Sequence, residues 1–337
     1  MLVFKKFKFF LLLIIVSLAI CIVCAPFVYC EQWKPDIKFL TIAAGAAEWE
    51  LIGAKLSDLI HKEIPEIATT SIPGGGEINC IRVNSGEAGI GLTHTGFQDM
   101  MIKGISPFTE PLSKVRAMMC LYRVYFMPIV RRDSNIHSIS DLGERPYTVW
   151  ISTPGKGAYV YGVKLLNVYG VTLEKIKEMG GVLEQTEYND GDKGFMDRRI
   201  DYICYPGSPI PYARAIQLSS IPGGIRLLPI SGEERENYIR TVPGTYKTII
   251  PANTYQGQEE DVETIGMAHM LICNADLSDE LVYRIMDIIM RNVQDIKNLT
   301  KSLQINFVKD VTEGIGTIIP FHPGAKKYLE EHGTKIE

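Results

Sequence analysis

Three short stretches carry residues that could do chemistry. In Ser71 to Gly96, SIPGGGEINCIRVNSGEAGIGLTHTG, a glycine turn (Pro73-Gly74-Gly75-Gly76) precedes Asn79, and a strand-like run ends at His94-Thr95-Gly96. Glycines allow close backbone approach to a ligand, and a helix starting after them offers unpaired N–H groups to an anion. Gly75 and Gly76 are therefore candidate donors. Asn79, one turn into the helix, either hydrogen-bonds a ligand or ties down the neighbouring loop. His94 and Thr95 stand just past a strand, where open α/β sheets place their ligands; a lone histidine can equally be a satisfied polar group. In Ser152-Thr153-Pro154-Gly155-Lys156-Gly157-Ala158 the same logic recurs, with Lys156 as counter-charge for a carboxylate or as a solvated lysine at a turn. In Glu48-Trp49-Glu50, Trp49 is either core or a ring over a ligand. Glu48 either complements a helix N-terminus or receives an amine. Tyr205 and Ser208, around the Pro206-Gly207-Ser208-Pro209 break, complete the candidate set.

Other chemistries are missing from the pattern. A phosphate loop, Gly-x-x-x-x-Gly-Lys-[Ser/Thr], needs a glycine at 150 and a hydroxyl at 157, where Trp150 and Gly157 stand. There is no Gly-x-Ser-x-Gly elbow, no His-Glu-x-x-His and no dinucleotide fingerprint, so neither an enzyme nor a cofactor is expected. Histidines 61, 94, 137, 269, 322 and 332 form no i,i+4 pair and lie near no cysteine set, so no metal site is expected.

The elements that must position these residues alternate. Asp36 to Ile42 reads as a strand, followed by small residues and a helix with Trp49, Ile52, Leu56, Leu59 and Ile60 on one face. Phe97 to Met101 reads as a short helix stopped at Gly104. Arg116 to Arg132 and Val262 to Asn274 are long apolar β-leaning runs, each followed by an Asp-containing polar turn. Two such crossings enclose a second α/β region, in which the strand Tyr147 to Ile151 runs into the second glycine loop and a helix marked by Ala158, Tyr161 and Leu165. Strands are also expected at Asp201 to Tyr205 and Ile225 to Pro229. Ser278 is expected to cap a long helix bearing Leu281, Ile285, Ile288, Ile289 and Ile296, and Pro323 to open the last one. The pattern is an α/β class with two lobes and a cleft between.

Composition bounds the partners. The chain has 337 residues, 46% hydrophobic and 22% charged, with a formal charge of −4; no basic stripe speaks for nucleic acid. Lys5, Lys6 and Lys8 precede an apolar run from Phe9 to Val23 and then Cys24-Ala25-Pro26, the order of a secretory signal; the alternative is an uncleaved anchor. Export to an extracytoplasmic or periplasmic location is expected. Cys80, Cys120, Cys204 and Cys273 lie in mostly apolar context and read as buried thiols, with a disulfide still open in an oxidising compartment.

The ordered series PGGGEIN, SGEAGIGL, STPGKG, IPANTYQGQEEDVETIG, CNADLSDELVYRIM and IPFHPGAKKYLEEHG spans about Ile37 to Gly333. It resembles the TAXI subfamily of extracytoplasmic solute receptors, the binding proteins of tripartite ATP-independent (TRAP) transporters. The resemblance implies a bilobed, hinge-closing type II periplasmic-binding fold. On its terms 1–30 is a signal peptide, 31–130 plus 264–337 form lobe 1, and 131–263 form lobe 2. It implies capture of a small, carboxylate-bearing solute, amino-acid-like or dicarboxylate, and delivery to a TRAP-type permease with small and large subunits, sometimes fused. By position the resemblance places Glu48 and Trp49, Gly74 to Gly76, Asn79, His94-Thr95 and Thr153 to Ala158 around the ligand. Several family identities differ here: Glu48-Trp49 stand for a Thr-Tyr pair, His94-Thr95-Gly96 for Gln-Ser-Asp, and Lys156 and Ala158 for two hydroxyls. A ligand unlike the family's common one is therefore implied. A sensor or interaction protein that kept the fold without transport is the alternative reading.

Overall fold

Short apolar strands and one-faced helices alternate from Phe39 onward, and within each group the parallel strands end at one edge. A computed structural model describes residues 33–46, 48–154, 156–208, 210–315 and 318–336. The expected signal peptide lies outside the described residues; Pro35–Glu337 pack as one unit. The first group is β1 (Phe39–Ala43), α1 (Glu48–Glu63), β2 (Ala68–Ile72), α2 (Gly76–Ser85) and β3 (Ile90–His94). The five apolar residues expected on the inner face of α1 are all buried. Its acidic first turn and its His61-Lys62 last turn suit the dipole. A 3-10 turn at Thr95–Phe97 and α3 (Gln98–Lys103) lead to β4 (Val115–Arg131). All of β4 is buried except Arg116 and Arg123, as a strand covered on both faces requires.

The second group comprises β5 (Thr148–Trp150), α4 (Gly157–Val168), α5 (Leu173–Glu178), β6 (Val182–Glu184), α6 (Tyr188–Met196) and β7 (Tyr202–Gly207). It continues through α7 (Ala213–Ser219), β8 (Ile225–Leu227), α8 (Gly232–Thr241) and β9 (Tyr246–Ile250). The chain returns through β10 (Val262–Asn274) to α9 (Asp279–Arg291), α10 (Val293–Lys297), α11 (Lys301–Asn306) and α12 (Pro323–Glu331). Among the described residues one sheet of order β2-β1-β3-β10-β4-β7-β5-β6 results, with β8 on β4 and β9 on β10. The strands β2-β1-β3 are mutually parallel, as are β7-β5-β6, and the antiparallel pair β10-β4 joins them.

The crossing strands change partners midway. β4 pairs with β10 from Val115 to Tyr125 and with β7 from Tyr125 to Val130. β10 pairs with β9 up to Gly266 and with β3 from His269 onward. The β4–β10 register slips between His269 and Met270, and again between Leu271 and Ile272, with Leu121 and Met118 the extra residues on β4. One local expectation changes. Ser278 stands at the N-cap of α9, but its hydroxyl bonds Asp36 at 3.0 Å instead of the helix backbone. Cys80, Cys120, Cys204 and Cys273 are all buried free thiols.

Candidate functional site

Three helices start at one cavity of about 330 Å³: α1 at Glu48, α2 at Gly76 and α4 at Gly157. The positive ends of their dipoles lie at this space, and their first turns offer N–H groups without intrahelical partners, although Trp49 N in α1 already bonds Ala46 O at 3.3 Å. The cavity is bounded on the first-group side by the Gly45-Ala46 loop, Glu48, Trp49, the Gly74–Gly76 turn and His94. On the second-group side stand Lys156 to Ala158, Tyr161, Tyr188, Pro206 to Ser208 and Tyr212. The crossing strands supply its floor, Tyr122 from β4 and His269 from β10. A second cavity of about 430 Å³ lies beside Arg132 and the Tyr255–Glu260 loop. It is lined by the second group and the start of β10, with no residue from the first group's loops, so it lacks the two-sided character of the first.

Aromatic packing sets the floor. Trp49 Nε1 donates to His269 Nδ1 at 3.1 Å, which makes that nitrogen the lone-pair side and puts the imidazole proton on Nε2. His269 packs against Tyr122 with ring centroids 4.2 Å apart and planes tilted by 36°, and its ring lies 4.7 Å from that of His94. His94 in turn contacts Trp49 at 5.1 Å and Tyr161 edge-on at 5.8 Å. A methyl at Gly76 would lie 2.8 Å from His94 Nδ1, so the missing side chain is what lets α2 start against the imidazole. Burial lowers the His94 pKa to about 3, and burial with His94 beside it pushes His269 well below its ordinary value. Both imidazoles are neutral at pH 7. His94 Nδ1, Tyr161 Oη and Ser208 Oγ are buried and have no hydrogen-bond partner among the described residues.

The expected site residues separate into two sets. Glu48, Trp49, Gly75, Gly76, His94, Lys156, Gly157, Ala158 and Ser208 border the cavity. Asn79 stands behind it: Nδ2 donates to Ala44 O at 2.6 Å and Leu92 O at 2.8 Å, and Oδ1 accepts from Gly75 N at 3.3 Å. It is the tie for the glycine turn, the structural of the two readings above. Thr95 also points away. Its hydroxyl donates to Gly244 O at 2.6 Å and accepts from Ala268 N at 3.0 Å, joining the 3-10 turn to β10. Ser152 is buried at the end of β5, and Thr153 Oγ1 bonds Glu187 Oε1 at 3.2 Å. Tyr205 lies behind Tyr188 and Tyr212, its hydroxyl donating to Asp192, which also holds Arg214. Lys156 is half exposed and reaches Glu187 Oε1 at 3.6 Å, while its backbone forms the N-cap of α4.

Sequence reasoning missed Tyr122, Tyr161, Tyr188, Tyr212 and His269 as lining residues. A signal existed for His269, an imidazole inside the otherwise apolar run GMAHMLIC. Among the described residues, no group of three or more His, Cys, Asp or Glu side chains could hold a metal ion, and no helix is long and apolar enough to cross a membrane.

Two parallel groups joined by a crossing antiparallel pair, with a two-sided cavity over the crossing, define the fold of the periplasmic binding proteins. It is shared with a TctC solute-binding protein from Polaromonas, at 13% identity over 88% of this chain and 98% of that one, TM-score 0.52. Periplasmic binding protein BugD matches more loosely, at 12% identity over 89% and 99% of the two chains, TM-score 0.46. The chain belongs to the NMT1-like family, whose profile matches residues 41–333.

Proposed function

We propose that the protein is an extracytoplasmic receptor that encloses a small carboxylate-bearing solute between two lobes, 31–130 plus 264–337 and 131–263. The observation that carries this is the convergence on one cavity of the α2 and α4 N-termini, one from each group, with Lys156 beside the second. A carboxylate placed there accepts backbone hydrogen bonds from both sides at once. Such a ligand favours the closed arrangement by its greater affinity for it, which is the only way a ligand can drive closure. The resemblance of the motif series to that of the TAXI receptors supports delivery to a TRAP-type permease.

The titrating groups favour binding over catalysis. The Cys80 and Cys204 thiols are each pushed up to about 12 by burial, and His94 down to about 3. None of these is a thiolate nucleophile or a base poised near neutral pH. The test is native mass spectrometry of freshly purified protein together with solution scattering against a panel of organic acids and amino acids. A bound small carboxylate and a smaller radius of gyration on its addition are expected. No binding and no compaction across the panel would defeat the proposal.

A further inference from the structure

The buried turn Thr95–Phe97 belongs to the first group, yet second-group atoms enclose it from two sides. On one side stands Tyr161 of α4. A methyl at Gly96 would lie 2.9 Å from Tyr161 Cε1 and 3.1 Å from its Oη, and the Tyr161 ring packs on Phe97 with centroids 5.1 Å apart. On the other side stands Gly244, in the turn before β9. A methyl there would lie 2.2 Å from Thr95 O, and the Gly244 carbonyl accepts from Thr95 Oγ1 at 2.6 Å. Each group thus carries a glycine where atoms of the other press in. Tyr161 is anchored in the second group. Its carbonyl accepts from Tyr238 Oη at 3.3 Å, and its ring packs at 5.9 Å on Phe126, in the part of β4 that pairs with β7. A rotation of one group against the other must therefore move Tyr161 across Gly96 and Phe97.

The same seam carries a cost. Although Tyr161 lies along the cavity wall, it has no accessible surface, and its hydroxyl is buried without a partner among the described residues. His94 Nδ1 is in the same condition, its ring edge-on to Tyr161 at 5.8 Å. With the groups apart, water would reach both atoms. Bringing the groups together removes that water and gives neither atom a hydrogen bond in exchange, which is unfavourable.

We propose that Gly96 and Tyr161 are positioning residues that set solute affinity through the closeness of the two groups, without touching the solute. The proposal rests on the solute-receptor reading and assigns the control of its closure. Glycine at 96 lets the seam shut, and the stranded Tyr161 hydroxyl keeps it from staying shut unaided. The solute supplies the balance by its contacts with both groups. Because neither residue contacts the solute, a substitution at either changes the affinity for every solute by one factor and leaves selectivity as it was.

The test is calorimetric titration of the mature protein with a panel of organic acids and amino acids that includes succinate and glutamate. Urea unfolding of the ligand-free protein is its control. Gly96→Ala, whose methyl meets Tyr161 only when the groups are together, is expected to weaken every binding solute by about tenfold. Tyr161→Phe deletes the stranded hydroxyl and keeps the ring, and is expected to tighten every one by about fivefold or more. The ligand-free urea midpoint should stay at the wild-type value in both variants. Unchanged affinity in either variant, weaker binding by Tyr161→Phe, or factors that differ from solute to solute overturn the proposal. So does a fall in the ligand-free midpoint of Gly96→Ala large enough to account for its weaker binding. In each of these cases wild-type binding leaves the receptor reading standing. If the wild type binds nothing in the panel, both fall.

Discussion

Replacing Asn79 with alanine tests the architecture of the site most directly. The side chain joins three segments: the Ala44 loop, the middle of β3 at Leu92, and the glycine turn at Gly75. It is fully buried. Each neutral hydrogen bond contributes about 1 kcal/mol net, and a buried group left unpaired costs about 1–3 kcal/mol. Two good bonds and one long one, with carbonyls at Ala44 and Leu92 losing a donor, sum to about 3 kcal/mol. For a chain of this size that corresponds to a fall in Tm of about 4 °C. Urea unfolding followed by tryptophan fluorescence reads the loss, and Trp49 reports from the cavity itself. Asn79→Asp should be at least as damaging, because it keeps the acceptor for Gly75 N but buries a charge where two donors stood. Ligand affinity should fall in both variants, since the glycine turn and the Ala44 loop lose their registration. A loss below about 1 kcal/mol for Asn79→Ala, with affinity unchanged, would refute the idea that this side chain holds the three segments together.

Other outcomes follow from the same structure. The folded chain protonates His94 only near pH 3, whereas the unfolded chain does so near 6.5, so the unfolded state binds more protons between these values. Stability should be complete above pH 6.5 and fall as the pH drops. The loss from His94 alone reaches at most about 2 kcal/mol at pH 5, and His94→Phe should flatten the dependence of the urea midpoint on pH. Gly244 has φ 93°, and an added methyl would lie 2.2 Å from Thr95 O. Gly244→Ala should therefore cost more than about 2 kcal/mol, measured by thermal unfolding. Lys156 is 53% exposed and shared with Glu187, so Lys156→Ala should weaken a carboxylate ligand by no more than about 1 kcal/mol in calorimetry. A hundredfold loss would mean that the ammonium, and not the backbone N–H groups, anchors the carboxylate.

Much of the fold was legible because its carriers are strongly patterned. β4 and β10 stand out as unusually long apolar runs, and α9 buries Leu281, Val282, Ile285 and Ile289 on one face. Weakly patterned elements escaped. β2 reads ATTSI and has no fully buried residue, β6 is three residues long, and α8 buries only Tyr238 in an otherwise polar turn sequence. The edge strand β9, YKTII, alternates as a half-buried strand should and was legible in principle. At the site, the loops and helix starts were readable from glycine and from the strand–loop–helix order. Tyr122 was not, and His269 stood out only as an imidazole in an apolar run, because the exposure of both to the cavity depends on the pairing of two strands remote in sequence. Asn79, Thr95 and Tyr205 show the converse: polar groups beside a cavity are often employed in holding its walls.

The register slip beside His269 ties two properties that a binding protein would otherwise tune separately. Leu121 is the unpaired residue there, and its neighbour Tyr122 pairs with His269, so the irregularity aims both rings into the cavity. The same few residues lie close to where β4 and β10 exchange partners, at Tyr125 and from Gly266 to His269. Any rotation of one group against the other must be taken up by backbone that also forms the cavity floor. On the proposed closure, a substitution at Tyr122 or His269 would change both what the solute touches and how readily the halves turn, in a single step. Under that proposal, selection at these positions would act on affinity and closure together, and a change in solute would bring an altered hinge with it.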